Sequence, residues 1–194
     1  MGFDRGAAEA VAEALRLLYE RGLVQVTGGN VSVLSGDVVY ISPTGVPRHR
    51  LTWRDVAVIG LDGSVVKGRP SSEWRMHVEV YRRLSGRGVS AVVHAHPRSV
   101  LAASTAGLEL DVNVFTEAKL RLGCVASVPP MEPGTWELAR AVASALDSTG
   151  CKAAVMEGHG AVTVAGDPWR ALDAMESLED LAWILLTSSK AKGD

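Results

Sequence analysis

Two histidines close a short apolar segment, Ala91-Val92-Val93-His94-Ala95-His96, and Pro97 follows them. The apolar and β-branched residues of this segment predict a β-strand that the proline ends. Residues two apart on a strand point to the same face, so both imidazoles are expected to project to one side of one rigid element. Such a pair is half of a first-row metal site, which a third histidine and a carboxylate would complete. Taken alone, it is more often a pair of solvated side chains, so its meaning depends on the other candidate ligands.

The apolar pattern predicts one α/β domain over residues 1–194. The predicted helices are 4–21, 72–84, one that starts at 97, 135–147 and 168–188, and 189–194 is expected to be a frayed tail. The predicted hairpins pair 31–34 with 38–41 and 56–59 with 64–66, and the other strands are 91–96, 112–115, 124–128, 153–156 and 161–164. Because helices and hairpins do not alternate in a regular βαβ rhythm, we expect an α/β sandwich, with helices covering a mainly antiparallel sheet.

Composition narrows the classes of function. The formal net charge of −2 and the pI near 6.2 give no reason to expect a nucleic-acid partner. No apolar stretch reaches the length of a membrane span and no secretory signal opens the chain, so we expect a cytoplasmic protein with no membrane partner. Cys124 and Cys151 have no Cys-x-x-Cys spacing. They are expected to be free buried thiols, with a disulfide as the alternative.

Four polar or glycine-rich segments flank the predicted strands and helices. The glycines of Thr27–Asn30 let backbone N–H groups approach a ligand, and Ser42–Gly45 follows the first hairpin. Pro70–Glu73 opens a helix, whose free N–H groups and positive dipole end attract an anion. In Glu157–Gly160, two glycines flank His159 and allow a tight turn that aims its imidazole. Each segment alone is typical of an ordinary turn or helix cap, but together they suit a phosphate group and a three-histidine catalytic metal site.

The sequence resembles the class II (zinc-dependent) sugar-phosphate aldolases of the aldolase and adducin-head superfamily. The matching motifs occur in the family's order over nearly the whole chain: Gly29-Asn30-Val31-Ser32, Thr44-Gly45, Ser71-Ser72-Glu73-Trp74, His94-Ala95-His96 and Gly158-His159-Gly160. This resemblance implies a three-layer sandwich with a nine-stranded, mainly antiparallel sheet. It also implies a homotetramer in which each active site lies at a subunit interface.

The resemblance further implies a reaction and a role for each motif. The reaction is the cleavage of a ketose 1-phosphate, L-fuculose 1-phosphate or an analogue, to dihydroxyacetone phosphate and an aldehyde through a metal-stabilised enediolate. One Zn²⁺ per subunit, with Mn²⁺ or Co²⁺ as alternatives, would be held by Glu73, His94, His96 and His159. Glu73 would leave the metal to act as the catalytic base. The phosphate would be bound by Gly29, Asn30, Thr44, Gly45, Ser71 and Ser72.

The chain departs from the family pattern at the proton donor. The best-known members use a tyrosine from a neighbouring subunit and a second one in a C-terminal tail. In this chain the three tyrosines, at positions 19, 40 and 81, all precede the histidine pair, Phe115 stands at the matching position, and the sequence stops before such a tail. We predict that Glu117 takes over proton transfer to the aldehyde oxygen. A surface acid paired with Arg121 at helical i,i+4 spacing is the alternative.

Other functions on the same fold are a pentulose-5-phosphate 4-epimerase, a methylthioribulose-1-phosphate dehydratase and a non-catalytic module like the adducin head. The epimerases tend to have Asp at the position of Glu73 and the dehydratases lack that acid, so Glu73 favours the aldolase. Intact metal ligands argue against the non-catalytic module. His77, four residues after Glu73, is expected to be a packed or solvated helix residue, and His49 is expected to be a loop residue with no role.

Overall fold

The computed structural model describes residues 2–191 of the chain. Its strands are β1 (Asn30–Ser35), β2 (Val38–Ile41), β3 (Ala57–Gly60), β4 (Val65–Lys67), β5 (Ala91–Ala95), β6 (Val125–Val128), β7 (Ala153–Met156) and β8 (Gly160–Ala165). Its α-helices are α1 (Arg5–Glu20), α2 (Trp74–Leu84), α3 (Arg98–Thr105), α4 (Thr116–Leu122), α5 (Trp136–Thr149) and α6 (Pro168–Ala191). Short 3₁₀ turns span Arg48–Arg50, Ser85–Arg87 and Val112–Val114.

The strands form one sheet in the order β4-β3-β2-β1-β5-β8-β7-β6. All neighbours are antiparallel except β6 and β7, which are parallel. Helices α1, α3, α4 and α6 cover one face, and α2 and α5 cover the other, so a separate hydrophobic core lies on each side of the sheet. The predicted fold class, a three-layer α/β sandwich with a mainly antiparallel sheet, is confirmed.

Two details of the sheet differ from the sequence-based expectation. The described residues form eight strands rather than about nine. The predicted strand at 112–115 is wrong, because Val112–Val114 forms a 3₁₀ turn. Asp111 causes this turn, since its carboxylate accepts hydrogen bonds from the backbone N–H and the side-chain amide of Asn113. A short polar side chain that binds the backbone two residues on favours a turn over an extended strand.

The helix boundaries follow capping residues that the sequence displays. Asp4 accepts a hydrogen bond from the N–H of Ala7 at the start of α1, and Thr135 accepts one from Leu138 at the start of α5. At the start of α6, Asp167 accepts one from the N–H of Arg170. This helix continues to residue 191, beyond the predicted end at 188. Of the tail predicted to be frayed, residues 192–194 lie outside the described part.

Cys124 and Cys151 form a disulfide, so the expectation of two free thiols is wrong. The two cysteines come just before β6 and β7, which pair in parallel with Val125 opposite Ala153. This pairing brings their Cα atoms to 4.8 Å, a separation that a disulfide spans. The two positions are 27 residues apart in sequence, and the parallel pairing that joins them is not visible in the sequence.

Among the residues that the structure describes, no helix combines the length and the apolar character that crossing a membrane requires.

Candidate metal centre and anion-binding loops

Three histidines meet where β5 ends and β8 begins. His94 is the penultimate residue of β5, His96 follows the strand, and His159 lies in the turn between β7 and β8. Strands β5 and β8 pair with Ala95 opposite Ala161, and this register brings the turn beside the histidine pair. One ring nitrogen from each imidazole lies within 4.8 Å of the others. The structure therefore brings the predicted triad together.

Gly160 leaves the space that the triad needs. A Cβ at this position would lie 2.4 Å from the carbonyl oxygen of Ala95 and 2.9 Å from the ring of His96. Any larger residue after His159 would therefore force β5 and β8 apart at the point where the imidazoles converge.

The hydrogen bonds of His94 and His96 fit a bound cation. The Nδ1–H of His94 donates to the carbonyl oxygen of Ala161 at 3.0 Å, and the Nδ1–H of His96 donates to the amide oxygen of Gln25 at 2.9 Å. Each Nε2 atom of these neutral rings then carries a lone pair, and the two Nε2 atoms are 3.1 Å apart. Two acceptors so close need a shared positive partner. Nitrogen ligands on a tetrahedral Zn²⁺ lie about 3.3 Å apart, given Zn–N distances of about 2.0–2.1 Å.

Burial keeps all three imidazoles neutral. Desolvation lowers the pKa of His94 well below its usual value, and the neighbouring His96 and His159 lower it further. Desolvation also lowers the pKa of His96, with smaller contributions from His159 and Arg48, and it lowers the pKa of His159. The neutral imidazole is the form that binds a metal, so the site is in its ligating state at neutral pH.

Glu73 is the buried acid that ends the third predicted loop and precedes α2. Its backbone N–H donates to the Ser71 hydroxyl at 3.3 Å, and its carboxylate accepts a hydrogen bond from the N–H of Gly134. Desolvation raises the pKa of this carboxyl, and the Gly134 bond opposes that rise only in part. Glu73 does not belong to the compact histidine group. Its Oε2 and the Nδ1 of His159 are buried without a hydrogen-bond partner in the described chain, as expected for atoms reserved for a ligand.

The three loops predicted to bind phosphate adjoin one another. The hydroxyl of Ser42 accepts a hydrogen bond from the N–H of Val31, which joins the first loop to the second. The carbonyl oxygen of Ser42 accepts one from the N–H of Ser71, and Pro43 bridges Pro70, which joins the second loop to the third. The six predicted phosphate residues on these loops are Gly29, Asn30, Thr44, Gly45, Ser71 and Ser72.

Each of the three loops also has a backbone N–H group without a partner in the described chain. Within residues 2–191, the N–H groups of Gly29, Gly45 and Ser72 make no hydrogen bond to the protein. Gly29 lies against the metal-site strand in a left-handed conformation with φ 63°. A Cβ there would lie 2.8 Å from the carbonyl oxygen of His94, so only glycine allows the loop this close.

The sequence interpretation missed the role of His77, although it correctly expected a packed helix residue. His77 is fully buried, and its Nε2–H donates to the side-chain oxygen of Asn30 at 2.5 Å. Its Nδ1 accepts from the Ser32 hydroxyl at 2.6 Å, and the Tyr81 hydroxyl bonds to that of Ser32 at 2.7 Å. Burial lowers the pKa of His77 to about 3, so the ring stays neutral.

His77 thereby orients Asn30, which lies opposite His94 in the β1–β5 register. The contact links α2 to the strand pair that carries Asn30 of the first predicted phosphate loop and His94 of the histidine group. The i,i+4 spacing of His77 from Glu73 is the sequence signal that could have suggested a place beside the site.

The sequence matches the family described as the Class II Aldolase and Adducin N-terminal domain over residues 9–186. The chain belongs to this family. It is 35% identical over 167 residues to an L-fuculose phosphate aldolase of Methanococcus maripaludis, and the match covers 86% of this chain and 89% of that protein. It is 34% identical over 168 residues to an L-fuculose phosphate aldolase of Escherichia coli K12, and the match covers 86% of this chain and 76% of that protein.

The structure also matches a solved member of the class II aldolase family. The crystal structure of L-fuculose-1-phosphate aldolase from Thermus thermophilus superposes with a TM-score of 0.84 at 34% identity, covering 97% of this chain and 96% of that one. The resemblance inferred from the motifs is therefore confirmed.

Glu117 does not lie at the histidine group of its own chain. Glu117 is exposed in the first turn of α4 and lines a cleft with Phe115 and Asp173. The cleft beside the histidines is a different one, lined by Gln25, Leu101, Pro130, Met131, Pro133, Glu157 and Gly158. Arg121 pairs with Asp173, so the surface pair that was the alternative for Glu117 does not form.

Proposed function

We propose that this protein is a metal-dependent aldolase that cleaves a ketose 1-phosphate, L-fuculose 1-phosphate or a close analogue, to dihydroxyacetone phosphate and an aldehyde. One observation carries the proposal. Asn30, on the first phosphate loop, lies directly opposite His94 of the histidine group, so a phosphate and a cation would be bound side by side. The relatives named L-fuculose phosphate aldolase, at 34% and 35% identity, support the substrate class.

His94, His96 and His159 would hold the metal, with Glu73 as a fourth ligand. The paired Nε2 lone pairs and the unpartnered buried atoms of Glu73 and His159 support this assignment. Zn²⁺ suits three imidazoles and a displaceable carboxylate, and Mn²⁺ or Co²⁺ are alternatives. A divalent ion bound there would supply Lewis-acid stabilisation of the negative charge that develops when the carbon–carbon bond breaks.

The remaining residues bind the phosphate and move protons. The N–H groups of Gly29, Gly45 and Ser72 and the polar side chains of Asn30, Thr44 and Ser71 would hold the substrate's phosphate. In cleavage, Glu73 would give a proton to the carbon on which negative charge develops, and in the reverse reaction its carboxylate would remove that proton. Its burial raises its pKa, which makes its carboxylate a stronger base than an exposed glutamate.

The second proton transfer would involve Glu117 of a neighbouring copy, which would accept the proton of the hydroxyl that becomes the aldehyde oxygen and would return it in the reverse reaction. In its own chain Glu117 is exposed and lines a separate cleft, so a role in catalysis requires an active site shared between subunits. Large apolar side chains are exposed near it and on α6, including Leu120 at 71% and Trp183 at 59% exposure, as is usual for surfaces that another subunit covers. We therefore propose a homotetramer with active sites at its interfaces.

A substrate panel tests the proposed reaction. Ketose 1-phosphates are incubated with the protein, and dihydroxyacetone phosphate is assayed with and without a chelator. We expect release that chelation abolishes and Zn²⁺, Mn²⁺ or Co²⁺ restores. Release that chelation does not affect would contradict the metal mechanism. If the protein instead epimerised a pentulose 5-phosphate or dehydrated methylthioribulose 1-phosphate, it would be assigned that reaction. A protein with neither bound metal nor turnover would be a non-catalytic module.

A further inference from the structure

Arg48 is a buried arginine that binds only backbone. It begins the 3₁₀ turn after the second phosphate loop and is 2% exposed. A guanidinium group has five N–H donors, and here every one of them has a carbonyl acceptor. Nε donates to Gly28 at 2.9 Å, Nη1 donates to Pro43 and Val46 at 3.1 Å each, and Nη2 donates to Thr27 at 2.6 Å and Gly29 at 2.9 Å.

These five carbonyl groups belong to the first two predicted phosphate loops and to Val46, which directly follows the second. The guanidinium therefore joins two segments that are distant in sequence through one rigid, planar group. In a trans peptide the N–H points opposite to the C=O. The carbonyls of Gly28 and Gly29 face Arg48, so the N–H groups of the same peptides, those of Gly29 and Asn30, point away from it. The N–H of Gly29 is one of the three that make no hydrogen bond in the described chain.

The charge of Arg48 has no acidic counterpart among the described residues, since every hydrogen bond that it donates goes to a carbonyl oxygen. Burial lowers the pKa of Arg48 to about 10, so the group stays charged at neutral pH. A buried charge without a counter-ion is costly to a fold. A phosphate group bound at the adjoining loops would supply the missing counter-ion.

We propose that Arg48 is a positioning residue of the anion site, because it fixes the first loop with the N–H of Gly29 directed away from the guanidinium, ties that loop to the second, and supplies the buried positive charge that a substrate phosphate neutralises. Arg48 does not touch the phosphate, since all five of its donors are occupied. This inference rests on the proposed function, because it assumes that these loops bind a phosphate group.

Titration calorimetry with inorganic phosphate tests the inference. The zinc-loaded protein and the chelated protein are both titrated, so that binding to the ion is separated from binding to the loops. We expect Arg48→Met to weaken phosphate binding by about tenfold or more, because it removes both the charge and the five donors. Arg48→Lys keeps the charge but loses the planar set of donors, so its loss should be intermediate. Arg50→Met, in the same turn but exposed, is the matched control and should bind as the wild type does.

Kinetics and metal content separate this role from a general structural one. With the ketose 1-phosphate that is cleaved best, Arg48→Met should raise KM more than it lowers kcat, and bound zinc per subunit should not change. Where Arg48→Met fails to fold, Arg48→Lys carries the test, and a folded Arg48→Lys with wild-type phosphate affinity and KM would overturn the inference. Wild-type protein that binds no phosphate would overturn the proposed site itself. Wild-type binding that Arg48→Met leaves unchanged would overturn this inference alone.

Discussion

Two glutamates of this chain sit in opposite environments, and their proposed roles follow from that difference. Glu73 is buried, its pKa is raised by desolvation, and one of its oxygens has no partner in the described chain. Glu117 is exposed at the start of a helix. Acids with contrasting environments commonly divide proton transfer between them. We assign proton transfer at carbon to Glu73 and proton transfer to the aldehyde oxygen to Glu117 of a neighbouring copy.

Substitution of Glu117 tests this division at the level of one residue. We expect Glu117→Gln to lower kcat by about 100-fold or more while bound metal stays unchanged, because the amide cannot transfer the proton and Glu117 is not a ligand. Glu109→Gln, which changes another exposed acid, is the control and should keep wild-type turnover. A near-normal rate in Glu117→Gln would contradict the role.

Mixed oligomers test whether the two acids come from different chains. Glu73→Gln and Glu117→Gln should each be inactive, and subunits exchanged in equal amounts should regain activity at about one quarter of the sites, where both acids are native. Mixing without recovery would mean that one chain supplies both groups.

Single residues differ in how well the sequence reveals them. His94, His96 and His159 were predictable, because strand periodicity and a glycine-flanked turn are local patterns. The role of Arg48 was not predictable, because three consecutive basic residues are typical of an exposed turn. Only the folded structure places the first of them between two loops that are distant in sequence. The role of His77 was missed for the same reason. Its partner, Asn30, is 47 residues away in sequence, and the two meet only because α2 packs on the sheet.

Among the elements, β6 and β7 form the one parallel pair of the described sheet, and the disulfide joins the segments that lead into them. Local pattern predicted both strands, the hairpins and the capped helices. It could not predict the pairing of β1 with β5 or of β6 with β7, because these neighbours are set by packing between segments that are distant in sequence. The disulfide, which was the alternative to two free thiols, follows from the second of these pairs.

Removal of this disulfide should destabilise the fold without removing the metal site. A disulfide between cysteines 27 residues apart limits the conformations of the unfolded chain, and this raises the free energy of the unfolded state by about 3.5 kcal/mol. The Cys124→Ser/Cys151→Ser double variant should therefore unfold at a temperature about 10 °C lower, measured by circular dichroism. Because the chain has no other cysteine, wild-type protein in reductant should show the same shift. An unchanged midpoint in both samples would contradict the stabilising role.

At the scale of the whole molecule, the site lies in the middle of the sheet, where strands from both halves of the chain meet at the end of β5. Its histidines are neutral: residues 77 and 94 are buried, and residues 96 and 159 are half-buried. A protein that buries neutral histidines acquires a stability that depends on pH. The direction of that dependence follows from the lowered pKa values.

Stability of the metal-free protein should fall as the pH drops below 6.5. His77 has a pKa of about 3 in the fold against 6.5 for the ordinary side chain, so between these values the unfolded state binds a proton that the folded state does not. The contribution of the neutral ring to the free energy of unfolding is complete above pH 6.5. It declines by up to about 1.4 kcal/mol per pH unit as the pH falls towards 3. The lowered pKa values of His94, His96 and His159 change stability in the same direction. Urea unfolding of chelated protein between about pH 5 and 7 measures how the free energy of unfolding changes with pH. This range lies above the pKa values of most carboxyl groups, so their titration contributes little.

The variant His77→Gln isolates one histidine from the others. Glutamine keeps a donor for Asn30 and an acceptor for Ser32 but does not titrate, so the slope of unfolding free energy against pH should become shallower by up to about 1.4 kcal/mol per unit below pH 6.5. His49→Gln, at an exposed loop position, should leave the slope unchanged. Equal slopes in His77→Gln and the wild type would show that His77 takes up a proton in the folded state, which would contradict its lowered pKa.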